Sequence, residues 1–204
     1  MEIILSTRNK GKSLELREAL LPLDNMVGST IKWLDMSSLQ INSPEENQET
    51  FIENALLKAR HCARCSGLPA LADDSGLCVP SLNGEPGIYS ARYAGEQAND
   101  IENYEKLLDK LQGITTRTAY FYCAIAYVNN PTDPTPIIAE GRWYGEILHK
   151  PQGSGGFGYD PIFQGMGLSA SAATLSKQEK LKYSHRGKAI QNFITQFGKA
   201  QSQI

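Results

Sequence analysis

Long apolar runs, histidine, cysteine and net charge are all scarce in this chain of 204 residues, and each scarcity excludes something. The longest uninterrupted apolar stretch, Ala119 to Val128, has ten residues. A membrane-spanning helix needs about 20. Formal charge is −2, from 20 basic and 22 acidic side chains, so no global basic field draws the chain to nucleic acid or anionic lipid. The opening Met1-Glu2-Ile3-Ile4-Leu5-Ser6 has no basic segment or apolar stretch of signal-peptide length, and a cytoplasmic location is expected. There are four cysteines. Cys62-Ala63-Arg64-Cys65 has the CxxC spacing but falls late in a helical pattern, where a redox pair would open one. Cys78 and Cys123 stand alone, and no second pair completes a zinc site. All four are read as reduced, structural thiols. His61 and His149 have no motif around them, so no Ser-His-Asp set is favoured.

What is present is a core. With 41% hydrophobic residues at this length, folding removes roughly 70% of the unfolded chain's surface from water. One large domain, or two small lobes within it, is expected. Residues 2–6 read as a buried strand. Leu16, Ala19, Leu20 and Leu23 recur at helical spacing and stop near Pro22. Residues 29–34 suggest a second strand, and the acidic 42–49 a loop. Thr50-Phe51-Ile52-Glu53 is a capping box, and its helix carries Ile52, Ala55, Leu56, Ala59 and Ala63 on one face before Gly67. Ala70-Leu71-Ala72 is a short strand, and 80–97 a Gly- and Pro-rich loop. Asn99 or Asp100 caps a helix with Ile101, Tyr104, Leu108 and Leu111 inward. Residues 116–128 and 137–148 form a long antiparallel hairpin broken at 129–134. Ser176 with Glu179 suggests another capping box, and Ile190, Phe193, Ile194 and Phe197 a final helix. This is an α/β or α+β chain with a mixed sheet.

Five segments are chemically suggestive. Thr7-Arg8-Asn9-Lys10-Gly11-Lys12 joins a strand to a helix, where backbone N–H groups favour phosphate. It lacks the Walker A spacing. Asp73-Asp74-Ser75-Gly76 sets two carboxylates at a strand end, suited to a divalent cation or a proton, though these are also turn formers. Glu45-Glu46 could complete a magnesium site, which takes one or two carboxylates plus substrate oxygens. Gly153-Ser154-Gly155-Gly156-Phe157-Gly158-Tyr159-Asp160-Pro161 matches GxGxxG formally, but no helix follows, so a dinucleotide fingerprint is excluded. Its glycines, with Phe157 as a stacking face and Asp160 as an acceptor, suit a flat ligand instead. Ser184-His185-Arg186-Gly187-Lys188, with Lys180 one turn earlier, suits phosphate or a carbonyl oxygen.

Taken together these segments resemble the inosine triphosphate pyrophosphatase family. The matching stretches are Ser6 to Lys12, Thr50 to Ala55 with Lys58-Ala59, Ala72 to Leu77, Pro86 to Tyr93, Gly156 to Pro161, and Ser184 to Gly187. The resemblance runs from residue 3 to about 197. It implies one domain over 1–204, an elongated mixed β-sheet with two α/β lobes and a central cleft, acting as a homodimer. It also implies Mg2+-dependent hydrolysis of non-standard purine nucleoside triphosphates (ITP, dITP, XTP) to monophosphate and pyrophosphate. Thr7, Arg8, Asn9, Lys10, Gly11 and Lys12 would hold the phosphates. Asp74 would be general base and metal ligand, with Glu45 or Glu46 the second metal carboxylate. Ser75, Phe157, Gly158, Tyr159, Asp160, Lys180, His185 and Arg186 would bind the nucleotide. Two positions depart from the family pattern: Arg8, where many relatives have glycine, and Thr174, where they often have glutamate. The alternatives are a septum-formation-type nucleotide pyrophosphatase, which the Ser184 to Gly187 stretch disfavours, and a non-catalytic nucleotide-binding regulator, which Asp73-Asp74 disfavours.

Overall fold

The computed structural model describes residues 1–7, 10–26 and 30–201, with the side chains of all of these except Lys10, Gly11, Lys12, Glu15, Asn25 and Met26. The strands are β1 (Glu2–Leu5), β2 (Lys32–Asp35), β3 (Ala70–Cys78), β4 (Thr118–Val128), β5 (Ile137–Ile147) and β6 (Phe163–Gly165). They form one six-stranded sheet in the order β2-β1-β3-β4-β5-β6. β1 runs parallel to both β2 and β3, whereas β5 and β6 are antiparallel. The sheet is therefore mixed, as expected. β1 lies between two parallel neighbours, and Ile3, Ile4 and Leu5 are all fully buried, the continuous apolar run such a position requires. β5 instead alternates, with Ala139, Gly141, Trp143, Gly145 and Ile147 inward and Glu140, Arg142, Tyr144 and Glu146 exposed.

The helices are α1 (Lys10–Leu20), α2 (Pro22–Met26), α3 (Phe51–Ser66), α4 (Asp100–Lys110), α5 (Lys177–Tyr183) and α6 (His185–Gln201). Three of the expected caps form. Thr50 Oγ1 accepts the Glu53 amide, and full capping boxes join Asn99 to Glu102 and Ser176 to Glu179. Gly67, at φ 70, closes α3 in the left-handed region. Pro22 does more than stop a helix: it opens α2, where its missing N–H costs nothing.

Several expectations shift. β2 begins at Lys32, and Ser29 lies outside the described residues. In α4, Ile101 is 53% exposed, and Asn103 and Leu107 face inward. Asn103 takes that place because its amide accepts the Ala94 N–H and donates to the Ala91 carbonyl, two loop groups. In α3, Ile52 and Leu56 are half-buried, while Asn54 and Lys58 join Ala55, Ala59 and Ala63 on the buried side. The 80–97 segment contains 3-10 turns at Pro80–Leu82 and Gly87–Arg92. β6 was not anticipated, because three residues carry no readable alternation.

The chain divides into two compact units: residues 1–74, 123–141 and 186–204, and residues 75–122 and 142–185. In the first, Tyr127 packs edge-on to Phe197 at 5.2 Å between centroids, with Phe193 beside both rings. The core of the second joins Leu77, Leu107, Phe121, Trp143 and Phe163, with the Phe121 and Phe163 rings edge-to-face at 4.7 Å. β6 approaches β5 so closely that a Cβ on Gly145 would collide with the Gln164 carbonyl and one on Gly165 with the Trp143 indole. Gly145→Ala is therefore expected to detach β6 and destabilise the protein by about 1–3 kcal/mol, the usual cost of overpacking. Denaturant unfolding followed by tryptophan fluorescence measures it.

Candidate active site

The buried side of α3 carries a lysine among alanines, and β3 supplies what that lysine needs. Lys58 Nζ donates to Asp74 Oδ1 at 2.9 Å and to Glu46 Oε2 at 3.1 Å. The Lys58 and Asp74 side chains are 9% and 10% exposed, and Glu46 is 34% exposed. Burial acts to lower the Lys58 pKa, but the carboxylates of Asp74, Glu46 and Asp73 outweigh it, and the net shift is upward. The ammonium thus stays charged across the neutral range. Asn54, one turn before Lys58, holds the acidic loop on α3. Its side-chain oxygen accepts the Gln48 amide, and its nitrogen donates to the Gln48 carbonyl. That anchoring brings Glu46 to Lys58, while Glu45 is exposed.

The strand does not end at Ala72. It continues through Asp73-Asp74-Ser75-Gly76 to Cys78. Successive strand residues point to opposite faces, so the two carboxylates separate. Asp73 meets Arg186 at the start of α6, with Arg186 Nε 3.4 Å from Asp73 Oδ2 and both side chains 1% exposed. Each aspartate thereby gains a cation, which is why an acidic pair is tolerated inside a strand.

At the end of β1, Ser6 Oγ donates to the Lys58 carbonyl at 3.3 Å and accepts the Cys62 thiol at 3.0 Å. This fastens the head of the Thr7 to Lys12 segment to α3. Cys62 is buried, and burial raises its thiol pKa, in keeping with a structural role. α1 starts at Lys10, so the segment leads into a helix N-terminus as expected. Arg8 and Asn9, and the side chains of Lys10, Gly11 and Lys12, lie outside the described residues.

The second unit gathers the glycine-rich loop around Asp160. Its carboxylate accepts the Phe157 amide at 2.9 Å and pairs with Lys180 Nζ. The Lys180 ammonium also sits 4.2 Å from the centre of the Phe157 ring, a cation–π contact. Gly158 N–H donates to Asp100 Oδ2 at 2.6 Å, tying the loop to the first residue of α4. Gly156 has φ 73, and a Cβ there would strike the Asp160 carboxylate. The loop needs glycine at that point. Tyr159 is buried and its hydroxyl donates to the Ser90 carbonyl at 2.8 Å; burial drives its pKa upward. His185 stacks on Phe121 at 4.8 Å and 12°. Thr174 donates its hydroxyl to the Ser171 carbonyl at 2.7 Å. Ser75 is half-buried on β3.

Among the expected site residues, then, Asp74 and Glu46 share one cation, and Phe157, Asp160 and Lys180 form one cluster. Asp160 organises its own loop, with its side chain 3% exposed, and Arg186 serves Asp73. Lys58 belongs to a stretch that carries the family resemblance, but the sequence assigns it no role. Its signal was the polar pair Asn54 and Lys58, one turn apart beside Ala55 and Ala59. Among the described residues no group of three or more His, Cys, Asp and Glu is placed to hold a metal. Asp74 and Glu46 already face a common cation, however. A magnesium ion that takes two carboxylates and completes its shell with water and phosphate oxygens fits that donor set.

Such an arrangement defines an α/β protein with a buried carboxylate–lysine centre, fastened through Ser6 to a turn that leads from a strand into a helix. The profile of the Ham1 family matches residues 3–196. The dITP/XTP pyrophosphatase of Idiomarina loihiensis is 47% identical over 97% of this chain and 98% of its own length. That of Erwinia tasmaniensis is 50% identical over 93% of this chain and 90% of its own. A solved HAM1 protein from Coxiella burnetii superposes with a TM-score of 0.90 at 43% identity, covering 98% of this chain and 99% of that one. This chain belongs to the Ham1 family.

Breaking the Asp73–Arg186 pair leaves an uncompensated buried charge. Asp73→Asn or Arg186→Met is expected to lower unfolding free energy by about 3–5 kcal/mol. Urea denaturation is the check.

Proposed function

We propose that this chain hydrolyses non-standard purine nucleoside triphosphates, ITP, dITP and XTP, to the monophosphate and pyrophosphate, keeping them out of nucleic acids. The observation that carries the reading is Asp74 and Glu46 held on one buried lysine, in a chain so similar to dITP/XTP pyrophosphatases. The reading assigns the triphosphate to Asp74, Glu46, Lys58 and the Thr7 to Lys12 turn. It assigns the base to Phe157, Gly158, Lys180 and their neighbours.

Magnesium held by Asp74 and Glu46 would neutralise phosphate oxygens and acidify bound water. Everything else falls to the chain. Asp74 takes the proton from the attacking water. The water oxygen bonds to the α-phosphorus, and the bond from that phosphorus to the bridging oxygen breaks, releasing pyrophosphate. Lys58 orients Asp74 through the hydrogen bond between its Nζ and Asp74 Oδ1. The amides opening α1 meet phosphate charge at the positive end of a helix. Hypoxanthine and xanthine offer a 6-carbonyl acceptor and an N1–H donor, and adenine offers the reverse. A site built for the first leaves adenine's groups unsatisfied, which is worth up to about 10⁴-fold in discrimination. Guanine shares O6 and N1–H, so its rejection rests on the 2-amino group. A homodimer working in the cytoplasm, where the nucleotide pool lies, completes the reading and rests on the family resemblance. Among the described residues no helix is long and apolar enough to cross a membrane.

A pyrophosphate-release assay with ITP, XTP, dITP, GTP and ATP, with and without magnesium, tests this. Fast, metal-dependent release from the first three and slow release from GTP and ATP is the expected pattern. Comparable rates for GTP and ITP would overturn the 2-amino argument. Asp74→Asn is expected to lose about 10²–10⁴-fold in kcat while its circular dichroism stays native. Retained turnover would remove Asp74 as the base. Lys58→Met is expected to lower kcat as well, because the carboxylate it orients is the proton acceptor; kcat and KM measured together separate that from weaker binding.

A further inference from the structure

Arg117, at the foot of β4, directs its guanidinium at three backbone carbonyls. Nε donates to the Ile147 carbonyl at 2.8 Å, Nη1 to Leu111 at 3.0 Å and Nη2 to Leu148 at 3.0 Å. The residue is 9% exposed, and no carboxylate is among its partners in the described residues. A guanidinium has five N–H donors, so two remain beyond these three bonds. Its backbone is fixed too, because Ile147 N–H donates to the Arg117 carbonyl at 2.9 Å. The carbonyl dipoles and the C-terminal end of α4 offset part of the buried charge, and none of them carries a full negative charge.

Arg117 borders a half-open cavity of about 400 Å³, walled also by Leu108, Leu111, Gln112, Ile114, Thr115 and His149. That volume lies in the range of small-molecule sites. Polar and apolar groups line it in similar measure, with Leu108, Leu111 and Ile114 as the apolar part. We propose that the cavity binds a small organic anion, a carboxylate or phosphate head on a short apolar body, with Arg117 as its fixed cation. The three carbonyls hold the guanidinium plane before any ligand arrives, so little side-chain entropy is lost on binding. The apolar body lies on Leu108 and Ile114, and exposed His149 flanks the mouth. None of these residues belongs to the carboxylate–lysine centre or to the glycine-rich loop, so this site stands apart from the proposed reaction.

The test is a titration of the ¹⁵N-labelled full chain with acetate, butyrate and inorganic phosphate. Saturable shifts are expected at the Gly113, Thr115 and Arg117 amides and at the Arg117 Nε–H. Butyrate, with two more buried methylenes, is expected to bind about tenfold tighter than acetate. His149→Glu, an exposed change that brings a negative charge to the mouth, is expected to weaken butyrate about tenfold while the melting temperature and pyrophosphate release from ITP stay unchanged. Absence of saturable shifts at these groups would reduce Arg117 to a clamp on α4 and β5 and overturn the proposal. So would phosphate shifts without the butyrate gain, or equal binding by His149→Glu; either would mean an adventitious ion only.

Discussion

Two adjacent carboxylates buried in one strand can persist only if each finds a cation. An isolated charge moved from water into the interior costs far more than a fold of this size has to spare. On β3 the strand period separates Asp73 and Asp74 to opposite faces, and each is met from a different helix. Lys58 of α3 takes Asp74, and Arg186 of α6 takes Asp73. These two pairs set the register of α3, β3 and α6 against one another. They also divide the labour. Asp73, sealed at 1% exposure, holds the frame, while Asp74 shares its lysine with a half-buried glutamate, the pair to which the proposed chemistry is assigned.

The second unit uses the same device on a loop. Asp160 gathers an amide, a lysine and, through that lysine, an aromatic ring. Gly156 leaves the room the carboxylate occupies, so the glycine-rich stretch is set by a polar anchor rather than left loose. Asp100 performs a similar service for Gly158. A loop tied at three points presents its backbone groups in one arrangement, as the proposed base site would need.

Chain order, caps and the mixed sheet were legible because they rest on local rules. Thr50, Asn99 and Ser176 satisfy helix N–H groups within three residues, and β1 and β4 announce burial by their apolar runs. Ile101 misled because hydrophobicity alone chose the inward face of α4. The loop at 91–94 needed an amide there, and Asn103 supplied it. Local rules end β3 at Ala72, because Asp, Ser and Gly favour turns. Lys58 and Arg186, distant in sequence, reversed that preference by offering cations on each face. Neither partner is visible from a window around the aspartates.

The sequence by itself determined most of the elements, their order and the family resemblance, since helix caps, hydrophobic periods and motif spacing act over a few residues. It also placed the carboxylates, the phosphate turn and the basic helix start among the candidates. Only the tertiary structure decided which carboxylate each cation serves: Glu46 rather than Glu45 on Lys58, Asp74 beside it, and Asp73 with Arg186. Ion pairing inside a protein depends on distance and burial, and both arise only when segments far apart in the chain are packed together.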